Sequence, residues 1–400
     1  MFTPEQQTGR AEFIALSALL MSVVAMSVDV MLPGLGALAT DLKIETGNQR
    51  QWVITMMFIG FTIGQLLFGP VSDALGRRRA ITIGIFIFII GTVLCTVAQS
   101  YSVFLFGRLL QGIGAAGPRI GTIAMVRDRF VGVEMAKVMS VVLGVFIFVP
   151  IFAPVLGQAV LFLVPWRGLF ALLAIVFISA GVWVLMRQPE TLKTPTPFRT
   201  SQLVHALKEI AKDGRALYVT IASGCAFGAL LGFLNSAQQV LQDLYQVGNA
   251  FALWFGFCAI FVSAATFTNV RLVKSFSMMS ICRNAMWIAS ALSVLFLAYL
   301  HFQPMPALNV WIGYSCTVLF LLGLTFGNFS ALTLERLGHV AGLAAAITGA
   351  LNTGIALVIA AGIGLSFNST VTPVSWGFAI FTALTAVFIV VAKRCDDRRG

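Results

Sequence analysis

The chain has 400 residues, of which 58% are hydrophobic and only 10% charged, and its mean hydropathy is +0.93. Soluble domains carry about 25% charged residues, so this composition excludes a water-soluble enzyme, a disordered chain and a coiled coil. The formal net charge of +11 fits basic loops on one face of a membrane better than a nucleic-acid surface. We therefore expect a lipid bilayer as the surroundings and no nucleic acid as a partner.

Nine long stretches between Phe13 and Ala392 contain no Asp, Glu, Lys or Arg. A membrane-crossing helix needs about 20 mostly apolar residues. The last two stretches are long enough for two helices each, with proline-containing breaks at 301–306 and 368–373. One more helix, with two arginines inside it, is predicted from about Val103 to Met125. The sequence therefore predicts an all-α, polytopic membrane protein with twelve transmembrane helices.

The basic residues are distributed asymmetrically between the two sides of the predicted membrane. With the N-terminus placed inside, the outer loops contain only Lys43, Arg50 and Arg167, while most of the 26 Lys and Arg lie in cytoplasmic segments. This asymmetry predicts a multi-pass protein of the inner (plasma) membrane with both termini cytoplasmic. We do not expect the first apolar stretch to be a cleaved signal peptide, because a single basic residue, Arg10, precedes it and further spans follow.

The longest polar stretch after the N-terminus follows the sixth predicted helix and is rich in proline and basic residues. It divides the predicted chain into an N-terminal six-helix bundle (1–187), a cytoplasmic linker (188–215) and a C-terminal six-helix bundle (216–400).

The loop after the second predicted helix has the pattern Gly69-x-x-x-Asp73-x-x-Gly76-Arg77. A carboxylate and a guanidinium four residues apart at a helix end can form a latch that holds two helices together. The alternative is a set of cytoplasmic charges with no gating role. The corresponding loop in the second half, 269–275, contains no acidic residue, so we expect no second latch there.

Two further motifs follow in the next helices. The fourth predicted helix reads Arg108-x-x-Gln111-Gly112, and a guanidinium inside a span must face protein or water. It is either a proton relay or charge partner, or a structural side chain bonded to carbonyls. The fifth helix contains Pro154-x-x-Gly157, which would bend it and allow close packing.

These three motifs resemble motifs A, B and C of the major facilitator superfamily. The Ala-Pro-x-x-Gly form of motif C is typical of the drug–proton antiporters of the bicyclomycin/chloramphenicol-resistance (Bcr/CflA-type) branch, although Gln158 stands where a second glycine is usual. The resemblance covers essentially the whole chain and implies two pseudo-symmetric six-helix bundles. It also implies gating roles for Asp73, Arg77, Pro154 and Gly157, and a role near the proton site for Arg108.

The strongest candidate for a proton carrier is Asp29, because nearly all other acidic residues fall in loops or at span ends. An ionisable residue within a span is a functional-site hypothesis by default, since desolvation disfavours its charged form. The alternative is an aspartate that caps a helix end at the outer surface. Asp29 and Arg108 are expected at comparable depths, where they could pair or compete.

Transporters of this type bind their substrates near the midplane of the membrane, between the repeats. Arg119 follows Arg108 by eleven residues, which places both on one helix face, and we expect it to attract an anionic or electron-rich substrate or to pair within a polar network. The other candidates for substrate binding are polar or sulfur-bearing residues of the predicted spans: Ser22, Met26, Met57, Gln65, Asn235, Gln238, Gln239, Thr266, Tyr314 and Asn352.

The preferred hypothesis is a monomeric, proton-coupled multidrug efflux transporter that exports small hydrophobic molecules by alternating access. The alternative is a proton-coupled or facilitative importer of a specific metabolite on the same fold. The histidines are dispersed and the six cysteines form no C-x-x-C pair. We therefore expect no metal site, no cofactor and no enzymatic activity.

Overall fold

The computed structural model describes residues 9–44, 47–192, 194–195, 207–335 and 341–397. Within these ranges the chain forms no strand, and twelve of its helices have 20 residues or more. The helices are α1 (Arg10–Asp29), α2 (Leu35–Asp41), α3 (Trp52–Leu75), α4 (Arg77–Val97), α5 (Tyr101–Arg129), α6 (Gly132–Leu161), α7 (Arg167–Arg187), α8 (Gly214–Gln238), α9 (Phe251–Leu272), α10 (Met278–Phe302), α11 (Leu308–Leu334), α12 (Ala341–Leu365) and α13 (Thr372–Asp397).

The predicted all-α, twelve-helix membrane fold is confirmed. Ten of the described helical segments are long and apolar enough to cross a membrane. The other two long helices are α6, in which an apolar stretch covers Phe148–Leu161, and α5, which contains two internal arginines. The hydropathy of α5 is low because glycines and arginines replace the usual aliphatic residues.

The chain divides into two compact units. The first unit contains Met1–Glu45 and Trp52–Ser201, and the second contains Thr46–Gln51 and Gln202–Gly400. The short segment that precedes α3 is thus part of the second unit, although it lies between the first two spans in the sequence.

Each unit packs its six long helices in the same order. In the first unit, α5 packs on α3 and α4, α1 on α6, and α4 on α7. In the second unit, α11 packs on α9 and α10, α8 on α12, and α10 on α13. Counted by their position among the six long helices, these are the same four pairs, which is the signature of a structural repeat.

The first membrane span is broken in its C-terminal third. Helix α1 ends at Asp29, a short 3-10 turn covers Leu32–Gly34, and α2 continues the span to Asp41. Pro33 causes the break, because proline donates no backbone hydrogen bond and disfavours helical geometry in the residue before it. Interrupted helices are how transporters place backbone and polar groups within a membrane.

Helix α5 packs on its neighbours backbone to backbone. A Cβ atom added to Gly112 would lie 1.9 Å from the carbonyl oxygen of Met57, and one added to Gly114 would lie 2.3 Å from the backbone nitrogen of Phe88. Only glycine permits these approaches, which hold α5 against both α3 and α4. These contacts fix the position of the α5 backbone relative to both neighbouring helices.

Candidate functional site

Asp29 is the last residue of α1 and lies at the break in the first span. It is buried, with 4% of its surface exposed, and within the described part of the chain its carboxyl group forms no hydrogen bond or ion pair. A Cβ atom added to Gly157 of α6 would lie 2.0 Å from the carbonyl oxygen of Val30. The motif C glycine thus lets α6 contact the backbone directly beside Asp29, and Pro154 lies buried one turn before it.

Arg108 is fully buried and is the largest buried charged side chain in the described residues. Its Nε donates a hydrogen bond to the Val53 carbonyl oxygen at 3.1 Å, and Nη1 donates to the Ser27 carbonyl oxygen at 3.1 Å and to Gln111 Oε1 at 2.7 Å. Nη2 lies 2.8 Å from Met57 Sδ. The guanidinium therefore ties α5 to α1 and α3.

Arg108 and Asp29 are close in the fold without forming an ion pair in this structure. Arg108 bonds the carbonyl of Ser27, which precedes Asp29 by two residues, while its remaining donors face Val53, Gln111 and Met57. Gln111 in turn donates to Thr92 Oγ1 at 2.7 Å. A chain of polar contacts thus runs from α4 through α5 to the end of α1, and the carboxyl group of Asp29 lies outside it.

Arg119 lies eleven residues after Arg108 on α5 and is half-buried. Its guanidinium carbon is 5.2 Å from the centre of the Phe61 ring, near the middle of α3. This contact is a cation–π interaction. No hydrogen bond or ion pair joins Arg119 to another residue among those the structure describes.

The motif A residues form a charge network where α3 ends and α4 begins. The guanidinium of Arg77 pairs with Asp73, and its Nε donates to Asp128 Oδ2 at 3.0 Å. Asp128 lies near the end of α5, so the network joins three helices. The sequence pattern identified Asp73 and Arg77 but missed Asp128, which is flanked by two arginines and has no motif of its own.

A second missed carboxylate belongs to the segment that follows α7. Glu190 accepts hydrogen bonds from the backbone N–H groups of Arg77 at 2.8 Å and Arg78 at 3.1 Å. These groups are the first donors of α4, so Glu190 caps that helix. Gly76, which precedes the helix, has a φ of 101°, a conformation that favours glycine.

The predicted substrate residues of the first unit differ in what their side chains do. Ser22 donates its hydroxyl to the carbonyl of Ala18 at 2.7 Å, within its own helix. Met57 is 2% exposed and contacts the Arg108 guanidinium and the Ser27 hydroxyl. Gln65 is buried, and Met26 is half-buried.

In the second unit, α8 carries a buried amide without a partner. Both the nitrogen and the oxygen of the Asn235 side chain are buried and lack a hydrogen-bond partner in the described residues. The same holds for Oδ1 of Asn352 on α12. Thr266 bonds a carbonyl of its own helix, and the Tyr314 hydroxyl donates to Ser293 Oγ at 2.9 Å.

Helix α8 passes into a π-helical turn at Gln239–Leu244, a geometry that often occurs at functional sites. Gln238 donates to Gln242 Oε1 at 2.9 Å, and Gln239 accepts from Gln51 Nε2 at 2.6 Å and donates to Asn48 Oδ1 at 3.2 Å. The two predicted glutamines thus belong to a polar cluster at the end of α8.

Residues of the 47–51 segment complete this cluster, and sequence reasoning assigned them no role. Arg50 pairs with Asp243 at 3.0 Å. Asn48 donates to the carbonyl oxygens of Leu365 at 2.9 Å and Phe367 at 3.1 Å. No motif marked these residues, because a short loop with one arginine has the composition of any outer turn.

In the part of the chain that the structure describes, no group of three or more His, Cys, Asp and Glu side chains is arranged to hold a metal ion. The buried charged groups and amides described above are the candidate functional groups of this site.

Two six-helix repeats, an interrupted first span with a buried carboxylate at the break, and a charge network at the helix ends are the features of a membrane transporter. The sequence profile described as Major Facilitator Superfamily matches residues 17–363. The chain belongs to that family.

Relatives and solved structures agree with this assignment. The chain is 29% identical over 357 residues to the uncharacterized MFS-type transporter YdgK of Bacillus subtilis, covering 86% of this chain and 87% of YdgK. It is 25% identical over 401 residues to a bicyclomycin resistance protein homolog of Haemophilus influenzae, covering 98% and 99% of the two chains. The multidrug resistance protein MdtL of Escherichia coli matches at 29% identity over 58% of this chain and 59% of MdtL. The resemblance indicated by the motifs is confirmed.

Among solved structures, a D-xylose-proton symporter aligns with a TM-score of 0.75 and 14% identity, covering 95% of this chain and 97% of the symporter. At this identity the likeness concerns the fold alone, and it agrees with the twelve-helix architecture.

Proposed function

We propose that this protein is a proton-coupled exporter of small hydrophobic molecules, and that Asp29 carries the proton. The observation that supports this most is the environment of Asp29. It is a buried carboxyl group at the break of a span, without a partner in the described residues. A structural aspartate would be paired, because an isolated buried charge is costly.

The coupling scheme follows from this environment. Protonation neutralises Asp29 and favours the conformation in which its surroundings are dry, whereas loss of the proton favours a hydrated conformation. A substrate that binds the second state better shifts the equilibrium the other way, so that proton and substrate exchange through differential affinity. Gly157 contacts the backbone beside Asp29, so movement of α6 would change the exposure of the carboxyl group.

Arg108 has a positioning role in this scheme. Its bonds to the carbonyls of Ser27 and Val53 hold the end of α1 against α5 and α3. Its fixed positive charge therefore lies near the end of α1. We assign Arg108 as a charge partner of the proton site that does not exchange a proton itself.

The substrate would bind through apolar contacts and a few polar groups, among which the amides of Asn235 and Asn352 are the clearest neutral candidates. The names of the bicyclomycin and multidrug resistance relatives support a drug-like substrate. Basic cytoplasmic segments support an inner-membrane location with both termini inside. We propose a monomer, because each chain already supplies two repeats.

Inside-out membrane vesicles provide the test, since their lumen corresponds to the outer side of the cell. With the lumen acidified, the wild-type protein should accumulate a fluorescent hydrophobic dye in the lumen, and an ionophore that collapses the pH gradient should abolish the accumulation. Vesicles that carry Asp29→Asn are the matched control. Movement of substrate together with protons would instead establish the importer.

A further inference from the structure

We propose that Arg119 is an anion subsite, and that the preferred substrates of this transporter are amphiphilic organic anions, such as a ring system that bears a carboxylate. This inference rests on the proposed transport function and specifies the substrate class. Three observations support it: the position of the guanidinium, its partial exposure and the groups that surround it.

The charge of Arg119 lies deep within the first unit. Side chains on a helix point towards its N-terminus, and the Arg119 guanidinium accordingly reaches back to the ring of Phe61 near the middle of α3. It lies about 16 Å along α5 from Arg108. This placement differs from that of an arginine at a helix end, which extends its side chain into the headgroup layer.

Arg119 is half-buried, and its guanidinium is electrically uncompensated in the described residues. Arg119 retains intermediate exposure, whereas Arg108 on the same face of α5 is 0% exposed. Arg108 satisfies its donors with two carbonyls and an amide oxygen. Arg119 has the face of one aromatic ring, which leaves its five N–H donors free of protein acceptors in the described part of the chain.

A cation held in this way is costly unless it obtains an anionic partner. The other charged side chains described in the interior of the first unit are Asp29, which lies near Arg108, and Arg77, which pairs with Asp73 and Asp128. Neither supplies a carboxylate to Arg119. A substrate carboxylate would accept two parallel hydrogen bonds from the guanidinium, and the Phe61 ring beside it would contact the apolar part of the same molecule.

Matched probes test this subsite without any transport. Equilibrium binding of 2-naphthoate, 2-naphthamide and 2-naphthylmethylamine to the purified protein compares an anion, a neutral amide and a cation on one ring. Wild type should bind the carboxylate most tightly. Arg119→Gln should weaken carboxylate binding by about 10- to 100-fold, because a charge-assisted hydrogen bond is lost, and should change amide binding less than about twofold.

Arg119→Lys keeps the charge but loses the bidentate geometry, so it should retain part of the preference for the carboxylate. Arg129→Gln is the matched control, because Arg129 lies on the same helix and contacts the ring of Phe13 at 4.7 Å at the cytoplasmic end. It should leave all three affinities unchanged. Size-exclusion profiles and thermal unfolding confirm that the variants are folded.

The inference is overturned if wild type shows no preference for the carboxylate, or if Arg119→Gln binds it as wild type does. Vesicle flux separates this failure from failure of the proposed function. Wild type that pumps neutral dyes under a pH gradient but shows no carboxylate preference retains the function and loses the anion subsite. Wild type that binds the carboxylate but moves no substrate under any gradient retains the subsite and loses the proposed export.

Discussion

The two units share a helix-packing order but differ in the groups they bury. In the first unit, the buried side chains include the charged residues Asp29, Arg77 and Arg108. In the second unit, every buried polar side chain that the structure describes is neutral, and most are hydroxyls or amides. A repeated architecture has thus acquired two kinds of interior, one suited to charge movement and one to the recognition of uncharged groups.

The two units also differ in how their helices pack. Helix α5 of the first unit approaches α3 and α4 through glycines that contact backbone atoms, as at Gly112 and Gly114. In the second unit, the glycines of α8 at 224, 228 and 232 instead pack against isoleucine side chains of α12, at positions 355, 359 and 363. Backbone-to-backbone contact fixes helix positions more strictly, and the unit that holds the buried charges is the one built in this way.

The largest effect is expected from removing the charge that distinguishes the first unit. Asp29→Asn should abolish dye accumulation driven by a pH gradient, a loss of at least about 100-fold if proton binding is obligatory, and should leave a folded protein. Vesicle flux at several values of the gradient measures this. Asp41→Asn is the control, because Asp41 is a more exposed carboxylate of the same span that pairs with Arg167. An Asp29→Asn variant that pumps at the wild-type rate would show that the proton binds elsewhere.

Replacement of Arg108 should have the next largest effect. Arg108→Ala leaves the carbonyls of Ser27 and Val53 without their donor, and an unsatisfied buried polar group costs about 1–3 kcal/mol. We expect transport to fall by about 10- to 100-fold, with a shifted pH optimum because the positive charge near Asp29 is gone. The pH profile of dye flux is the decisive measurement. An unchanged pH profile would show that Arg108 only cross-links the helices and has no role in proton coupling.

The sequence was sufficient to predict the all-α fold and its twelve long helices. Apolar length and the distribution of basic residues are local properties, which the sequence shows directly. Motif spacing also identified the Asp73–Arg77 pair, because the two residues lie on either side of the short turn between α3 and α4. These successes share one cause, since each depends on residues close together in the sequence.

What the sequence did not reveal depends on contacts between distant segments. Asp128 and Glu190 join the Arg77 network across more than 50 and 110 residues, and no local pattern marks them. The partners of Arg108 are backbone carbonyls, which carry no sequence signature at all. Asn48 and Gln51 of the 47–51 segment were missed for the same reason. Their acceptors include the backbone carbonyls of Leu365 and Gly364, and a backbone carbonyl is present at every position of a chain.

The packing difference between the units predicts unequal costs for the same substitution. In Gly112→Ala, the new methyl group meets a backbone oxygen at 1.9 Å, so the helices must separate. In Gly232→Ala, it meets first the terminal carbon of Ile363 at 2.5 Å, which can change rotamer. Allowing for the better helix propensity of alanine, we expect Gly112→Ala to cost about 3 kcal/mol and Gly232→Ala about 1 kcal/mol. Thermal unfolding in detergent measures both, and equal costs would contradict the difference in packing.

The smallest effect tests whether the neutral interior of the second unit serves recognition. Asn235→Leu removes an amide whose two polar atoms lack partners in the described residues. Since an unsatisfied buried polar group destabilises a fold, this variant should be more stable than wild type by about 1 kcal/mol in its free energy of unfolding. It should therefore unfold at a slightly higher temperature. It should also bind a neutral drug several-fold more weakly and keep the wild-type pH dependence of transport. A lower unfolding temperature would show that the amide stabilises the fold, whereas an altered pH dependence would extend the proton chemistry into the second unit.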